Sequence, residues 1–117
     1  MFVGGEFFYD DSWLLDRPEM DTTGMIFLNG GTACLALAAD WLRGRGIQKI
    51  LLPSYLCPSI LTTLESRGLS CAFYQVNEDL SIDLADAARK IERPGAFLFI
   101  NYFGFLHPPQ TRAFFQE

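Results

Sequence analysis

Leu28-Asn29-Gly30-Gly31-Thr32-Ala33-Cys34-Leu35-Ala36-Leu37, followed by Ile47-Gln48-Lys49-Ile50-Leu51-Leu52-Pro53, decides the fold of this 117-residue chain. In the first segment a polar glycine turn opens into a helix-forming run. Its apolar positions Leu35, Leu37, Ala38, Trp41 and Leu42 recur close to helical spacing over Thr32–Arg43. Gly44 and Gly46 stop it. The second segment has the character of a buried strand and is ended by Pro53. Working outward, Ser59–Ser66 reads as a helix closed by Gly68, and Leu69–Val76 as a strand. Leu84–Ile91 reads as a helix with Asp83 as its cap. After the Pro94-Gly95 break, Ala96–Tyr102 is the most apolar strand of all, and a further helix begins at Thr111. Met25–Leu28 reads as a short strand ahead of the glycine turn.

Strands that alternate with helices and carry near-continuous apolar runs predict an α/β protein. The expected architecture is three-layered, a mainly parallel sheet flanked by helices on both faces. In such sheets ligands bind beyond the carboxyl ends of the strands. Three polar or glycine-bearing turns fall there: Asn29–Thr32, Pro53–Pro58 and Asn101–Gly104. Residues 1–24 read as an N-terminal arm with apolar anchors at Phe7, Phe8, Tyr9, Trp13, Leu14 and Leu15, and 25–117 as one domain.

Composition narrows the function classes. Half of the residues are hydrophobic, with eleven Phe, which is a folding rather than a disordered composition. The formal charge of −5, with Lys49 and Lys90 the only lysines, argues against nucleic acid or an anionic membrane as partner. No apolar run approaches the length of a membrane span, and the start lacks the features of a secretory signal, so a cytoplasmic location is expected. Three cysteines, Cys34, Cys57 and Cys71, form no CxxC pair and are expected to be reduced.

The glycine turn admits two readings, an ordinary capped helix or a phosphate cradle. The first amides of a helix lack intrahelical acceptors and sit at the positive end of its dipole, so they hold an anion without a cation. Thr32 would then act as N-cap or as a phosphate donor. Pro53-Ser54-Tyr55-Leu56-Cys57-Pro58 is either a ligand-facing loop or a rigid strand-to-helix connection, with Pro58 in the first helical turn. His107, the only histidine, reads as a surface loop residue. Glu78, Asp79, Asp83 and Asp86 match no calcium loop, so no metal site is expected. The aromatic run Phe97, Phe99, Tyr102, Phe103 and Phe105 reads chiefly as core.

The order of these motifs resembles a known family. A Gly-Glu-Phe segment, a Gly-Gly-Thr-Ala helix start, Leu-Pro-Ser-Tyr after a strand, the Asn77–Asp83 stretch and a strand ending in Tyr-Phe-Gly are together similar to the DegT/DnrJ/EryC1/StrS group of pyridoxal-phosphate aminotransferases, of the aspartate aminotransferase fold class (fold type I). The resemblance implies that 25–117 is the first part of that family's large domain, truncated at its C-terminus. It implies that Gly31, Thr32 and Ala33 hold the phosphate of pyridoxal 5'-phosphate. Cys57 stands where the family stacks an aromatic residue on the cofactor ring, so Cys57 meets the ring through its sulfur or Tyr55 swings in to stack. Asn101 stands where the family has a His. The implied reaction transfers an amino group from an amino acid to a keto compound such as a nucleotide-sugar. A homodimer is implied too, with the arm Phe7–Trp13 against the second chain. The family's imine-forming lysine and its ring-nitrogen Asp have no counterpart here, so the chain alone is not expected to catalyse transamination. Two alternatives from other classes stand beside this reading, a non-catalytic α/β interaction domain and a small phosphate- or nucleotide-binding α/β protein.

Overall fold

The structure, a computed structural model, describes residues 21–114. The chain runs α1 (Gly31–Gly44), β1 (Lys49–Pro53), α2 (Pro58–Ser66), β2 (Ser70–Tyr74), α3 (Leu84–Lys90), β3 (Ala96–Phe97), a 3-10 turn (Tyr102–Gly104) and α4 (Pro109–Phe114). Among the described residues the strands form one three-stranded parallel sheet in the order β2-β1-β3. Lys49 pairs with Ser70 through to Pro53 with Tyr74, and Ile50 and Leu51 pair with Ala96 and Phe97. The expected α/β class with a parallel sheet is thus what the chain adopts.

Alternation along β1 sorts the core into two halves, because successive side chains of a strand point to opposite faces. Ile50 and Leu52 pack with Ala39 of α1 and Leu64 of α2. Leu51 packs on the other side with Tyr74, Val76, Ile82 and Ala87. Helices α1 and α2 therefore cover one face, and α3 covers the other. The chain leaves β1 through α2 on the first face to reach β2. It then returns through α3 on the second face to reach β3.

Local chemistry fixes the element ends. Gly46 and Gly68, at φ +78 and +77, follow α1 and α2 in the left-handed conformation that glycine adopts without strain. Asp83 accepts the Asp86 amide and caps α3. Asp86, three residues on, accepts from the Gln75 amide at 2.9 Å, from Lys90 Nζ at 2.8 Å and from Arg89 at 3.0 Å, tying α3 to the end of β2.

Several expectations are corrected. Met25–Leu28 forms no strand; it is exposed chain with no partner strand among the described residues. The apolar run Ala96–Tyr102 contributes only Ala96 and Phe97 to the ladder, extended by one bond from the Leu98 amide to the Leu51 carbonyl. The chain then leaves the sheet and turns at Phe103, whose φ of 55 is left-handed. That turn exposes part of the supposed aromatic core. Phe97 packs beside Leu51, whereas Phe103 is 85 % exposed and Phe105 and Leu106 are exposed as well. The arm at 1–20, including Phe7–Trp13, lies outside the described residues. No helix among the described residues is long and apolar enough to cross a membrane.

Candidate functional site

The carboxyl edge of the sheet is where the chain gathers polar groups. At the end of β1, Ser54 donates its amide to the Tyr74 carbonyl at 2.8 Å, and its hydroxyl accepts the Val76 amide at 3.0 Å. These bonds hold the exits of β1 and β2 together. The Tyr74 hydroxyl donates to the Leu98 carbonyl at 3.1 Å, and its ring stacks on Phe97 with centroids 4.7 Å apart. Burial pushes the Tyr74 phenol up, so it keeps its proton and its role as donor. Beyond β3, Tyr102 donates its hydroxyl to the Tyr55 carbonyl, and the two rings lie 5.5 Å apart.

An open cleft of about 330 Å³ sits at this edge, lined by Ser54, Tyr55, Gln75, Val76, Asn77, Glu78 and Leu80. Tyr55 is 62 % exposed beside it, free to meet a ligand with its ring face. Cys57 is the N-cap residue of α2, with Pro58 following at the first helical position. Its thiol is exposed and lies 3.1 Å from the Ser59 hydroxyl, and that hydrogen bond, with the Ser59 amide, holds it below the ordinary thiol value. Asn101 is exposed at the N-cap of the 3-10 turn, its side chain making no cap bond.

The glycine turn reaches the same edge. Helix α1 ends one short turn before β1 begins and runs beside α2 in the same direction. The Arg43 guanidinium donates to the Arg67 carbonyl at 2.9 Å, and Arg67 pairs with Asp40 at 2.8 Å, so the two helices finish together. Fourteen residues of helix span about 21 Å, more than the roughly 16 Å of a five-residue strand. The start of α1 therefore projects past the carboxyl ends of the strands. Its N-cap is Gly30, not Thr32, and no side chain caps it. The first helical bond runs from the Cys34 amide to the Gly30 carbonyl at 3.1 Å, which leaves the amides of Gly31, Thr32 and Ala33 without intrahelical acceptors. Nothing lies within 4 Å of where a Cβ would stand on Gly30 or Gly31.

The structure thus brings Tyr55 against Tyr102, the neighbour of Asn101, and sets Cys57 against Ser59. Gly31, Thr32 and Ala33 stand at the same edge at the start of α1. Sequence reading placed the turns that hold Ser54 and Tyr102 at this edge without singling out either residue, and it missed Glu78. It also took His107 for a surface residue, whereas His107 is 9 % exposed, bonded to the Ile100 carbonyl at 2.9 Å and set edge-on against Phe99. Among the described residues no group of three or more His, Cys, Asp or Glu is placed to hold a metal ion. No protein-family model matches the chain, and comparison with curated proteins and with solved structures returns no match.

Proposed function

We propose that this chain is the phosphate-anchoring part of a cytoplasmic pyridoxal-phosphate-dependent aminotransferase-like protein of the DegT/DnrJ/EryC1/StrS type, with a partial fold type I large domain. The observation that carries the reading is the start of α1. Three orphan amides, a capless glycine N-terminus and open space around Gly30 and Gly31 stand beyond the strand ends. A phosphate fits there, held by the Gly31, Thr32 and Ala33 amides with the Thr32 hydroxyl as an added donor. Tyr55 supplies an aromatic face, Cys57 a polarizable sulfur, and Asn101 an amide at the same edge. When bound, pyridoxal phosphate supplies an electron sink for amino transfer between an amino acid and a keto compound such as a nucleotide-sugar.

The chain's own residues do not complete that chemistry. Both lysines are turned to other work. Lys49 opens β1 at the opposite, amino edge and pairs with Glu92, while Lys90 bonds to Asp86 and the Phe73 carbonyl. This stretch therefore anchors and orients, and the proton-shuttling lysine has to come from elsewhere. A homodimer that shares its sites is part of the same proposal. A second reading, a non-catalytic interaction domain, is favoured by the exposed apolar residues Met25–Leu28, Leu37 and Trp41.

The test is a titration with pyridoxal phosphate, followed by its absorbance and by competition with inorganic phosphate. Saturable, phosphate-competed binding that Thr32→Val weakens several-fold, with circular dichroism unchanged, is expected. Absence of saturable binding, or equal binding by Thr32→Val, would refute the anchor and leave the interaction domain.

A further inference from the structure

Helix α1 is apolar on two sides. Its inner side sets Ala39 and Leu42 into the core with Leu52 and Leu64. On its outer side Cys34, Leu37, Ala38 and Trp41 recur at the spacing of three and four residues that makes one continuous helix face, and all four are exposed, Leu37 by 45 % and Trp41 by 54 %. The charged residues of α1 lie elsewhere: Asp40 pairs with Arg67, and Arg43 donates to the Arg67 carbonyl, both toward α2. The outer face is therefore uncharged along the helix. Arg45, its guanidinium 3.6 Å from the centre of the Trp41 ring, closes the C-terminal end of that face. Just ahead of α1, Met25–Leu28 adds four more exposed apolar side chains. A surface helix keeps polar residues on its outer side, and one that is apolar on both sides is built to be covered.

We infer that the cover is a second copy of the chain, with α1 packed antiparallel on α1 across a two-fold axis. The order of side-chain sizes along the face carries the argument. A two-fold contact sets the same patch on both sides, so the patch must complement itself. With the axis between Leu37 and Ala38, Trp41 of one copy meets Cys34 of the other and Leu37 meets Ala38, large against small at each step. A parallel pair would set Trp41 on Trp41 and Cys34 on Cys34. The small residues let the two helix axes approach to the usual separation of about 8–10 Å. Area agrees with this occupant. Aromatic side chains present about 150–250 Å² and aliphatic ones less, so the open parts of Met25–Leu28 and of the four residues on α1 come to roughly 700 Å² per copy, close to the ~800 Å² per partner of a standard interface. An interface of that size, without a central charge pair, is expected to dissociate in the micromolar range. It gives the homodimer proposed above a surface and shares nothing else with that reading, because none of the phosphate-anchoring amides takes part.

Sedimentation equilibrium of the full chain, from micromolar to near-millimolar concentration and without pyridoxal phosphate, is the test. A reversible equilibrium between monomer and dimer is expected. Leu37→Glu brings two carboxylates together at the axis and should weaken association at least tenfold, with circular dichroism unchanged because the position is exposed in the single chain. Orientation is read separately. In a Trp41→Cys chain, mild oxidation should join the introduced thiol to Cys34 of the other copy, a link located by peptide mass. A monomer at every concentration would assign the face to another occupant and overturn the inference. Undiminished association by a folded Leu37→Glu chain, or a covalent link from Cys34 to Cys34 in place of the expected one, would overturn it as well. Phosphate-competed binding of pyridoxal phosphate does not depend on any of these results, so failure of this interface and failure of the phosphate anchor are told apart.

Discussion

Leucine-to-alanine substitution at graded depth tests the two-faced core directly. Leu52 is 0 % exposed in the central strand and packs against Ala39 of α1 and Leu64 of α2. Truncation to alanine removes three carbons, a transfer loss of roughly 2.4 kcal/mol at about 0.8 kcal/mol per methylene. The small Ala39 side chain opposite cannot extend into the space, so a cavity term adds to that loss and the total reaches ~3–5 kcal/mol. Leu51, 4 % exposed on the other face, should cost about as much through the Tyr74 and Val76 cluster. Leu37, 45 % exposed on α1, should cost less than about 1 kcal/mol, because alanine loses little contact there and is the better helix former. The assay is equilibrium urea denaturation. With slopes of about 1–3 kcal/mol/M, Leu52→Ala should lower the midpoint by roughly 1–5 M. A Leu52→Ala loss no larger than that of Leu37→Ala would refute a core built on both faces of β1. A large Leu52 effect with a negligible Leu51 effect would refute the second face alone.

Two further predictions follow from single residues. A methyl on Gly95 would collide with the Glu92 backbone carbonyl, which has no side-chain freedom to yield, so Gly95→Ala should destabilise by about 1–3 kcal/mol; an unchanged melting temperature would count against that close approach. Asp86 is held below its ordinary carboxyl value chiefly by its hydrogen bond from Lys90, then by the Gln75 amide. A depressed carboxyl contributes stability above its unfolded value of 3.8 and loses it as pH falls through the lower folded value. The wild-type chain should therefore lose more stability than Asp86→Asn when pH is taken from neutral to well below 3.8, and parallel acid profiles would dismiss the contribution.

The elements most legible in the sequence are those whose ends are marked by local chemistry. Helix α1 between the Gly30-Gly31 turn and Gly46, α2 between Pro58 and Gly68, and α3 behind Asp83 all stand where capping and glycine signals place them. What local pattern could not show is how long a strand stays paired. Ala96–Tyr102 is apolar throughout, yet only two of its residues find register with β1 before the chain turns at Phe103. Met25–Leu28 has strand composition but no neighbour to pair with. His107 is buried by Phe99 and the Ile100 carbonyl, both supplied by the fold and not by the Pro-rich stretch around it. The candidate site divides the same way. Strand ends pointed to the turns Pro53–Pro58 and Asn101–Gly104, and the family resemblance to Tyr55, Cys57 and Asn101 within them, whereas the bond between Tyr102 and the Tyr55 carbonyl depends on two segments 47 positions apart.

The unequal ladders on the two sides of β1 carry a kinetic consequence. Five register pairs join β1 to β2, and two join β1 to β3. The loop closed by the Ile50–Ala96 pairing is roughly twice as long as that closed by Lys49–Ser70, and such a doubling costs only about 0.6 kcal/mol of closure entropy. Chain entropy thus favours the β1–β2 side slightly, and the number of backbone bonds favours it strongly. Native-state hydrogen exchange should find β1 and β2 opening together as one slow unit, with β3 detaching in a separate, lower-energy event. Since Tyr102 and His107 follow β3, the cleft of about 210 Å³ that they line would open and close with that outer strand while the rest of the sheet stays intact.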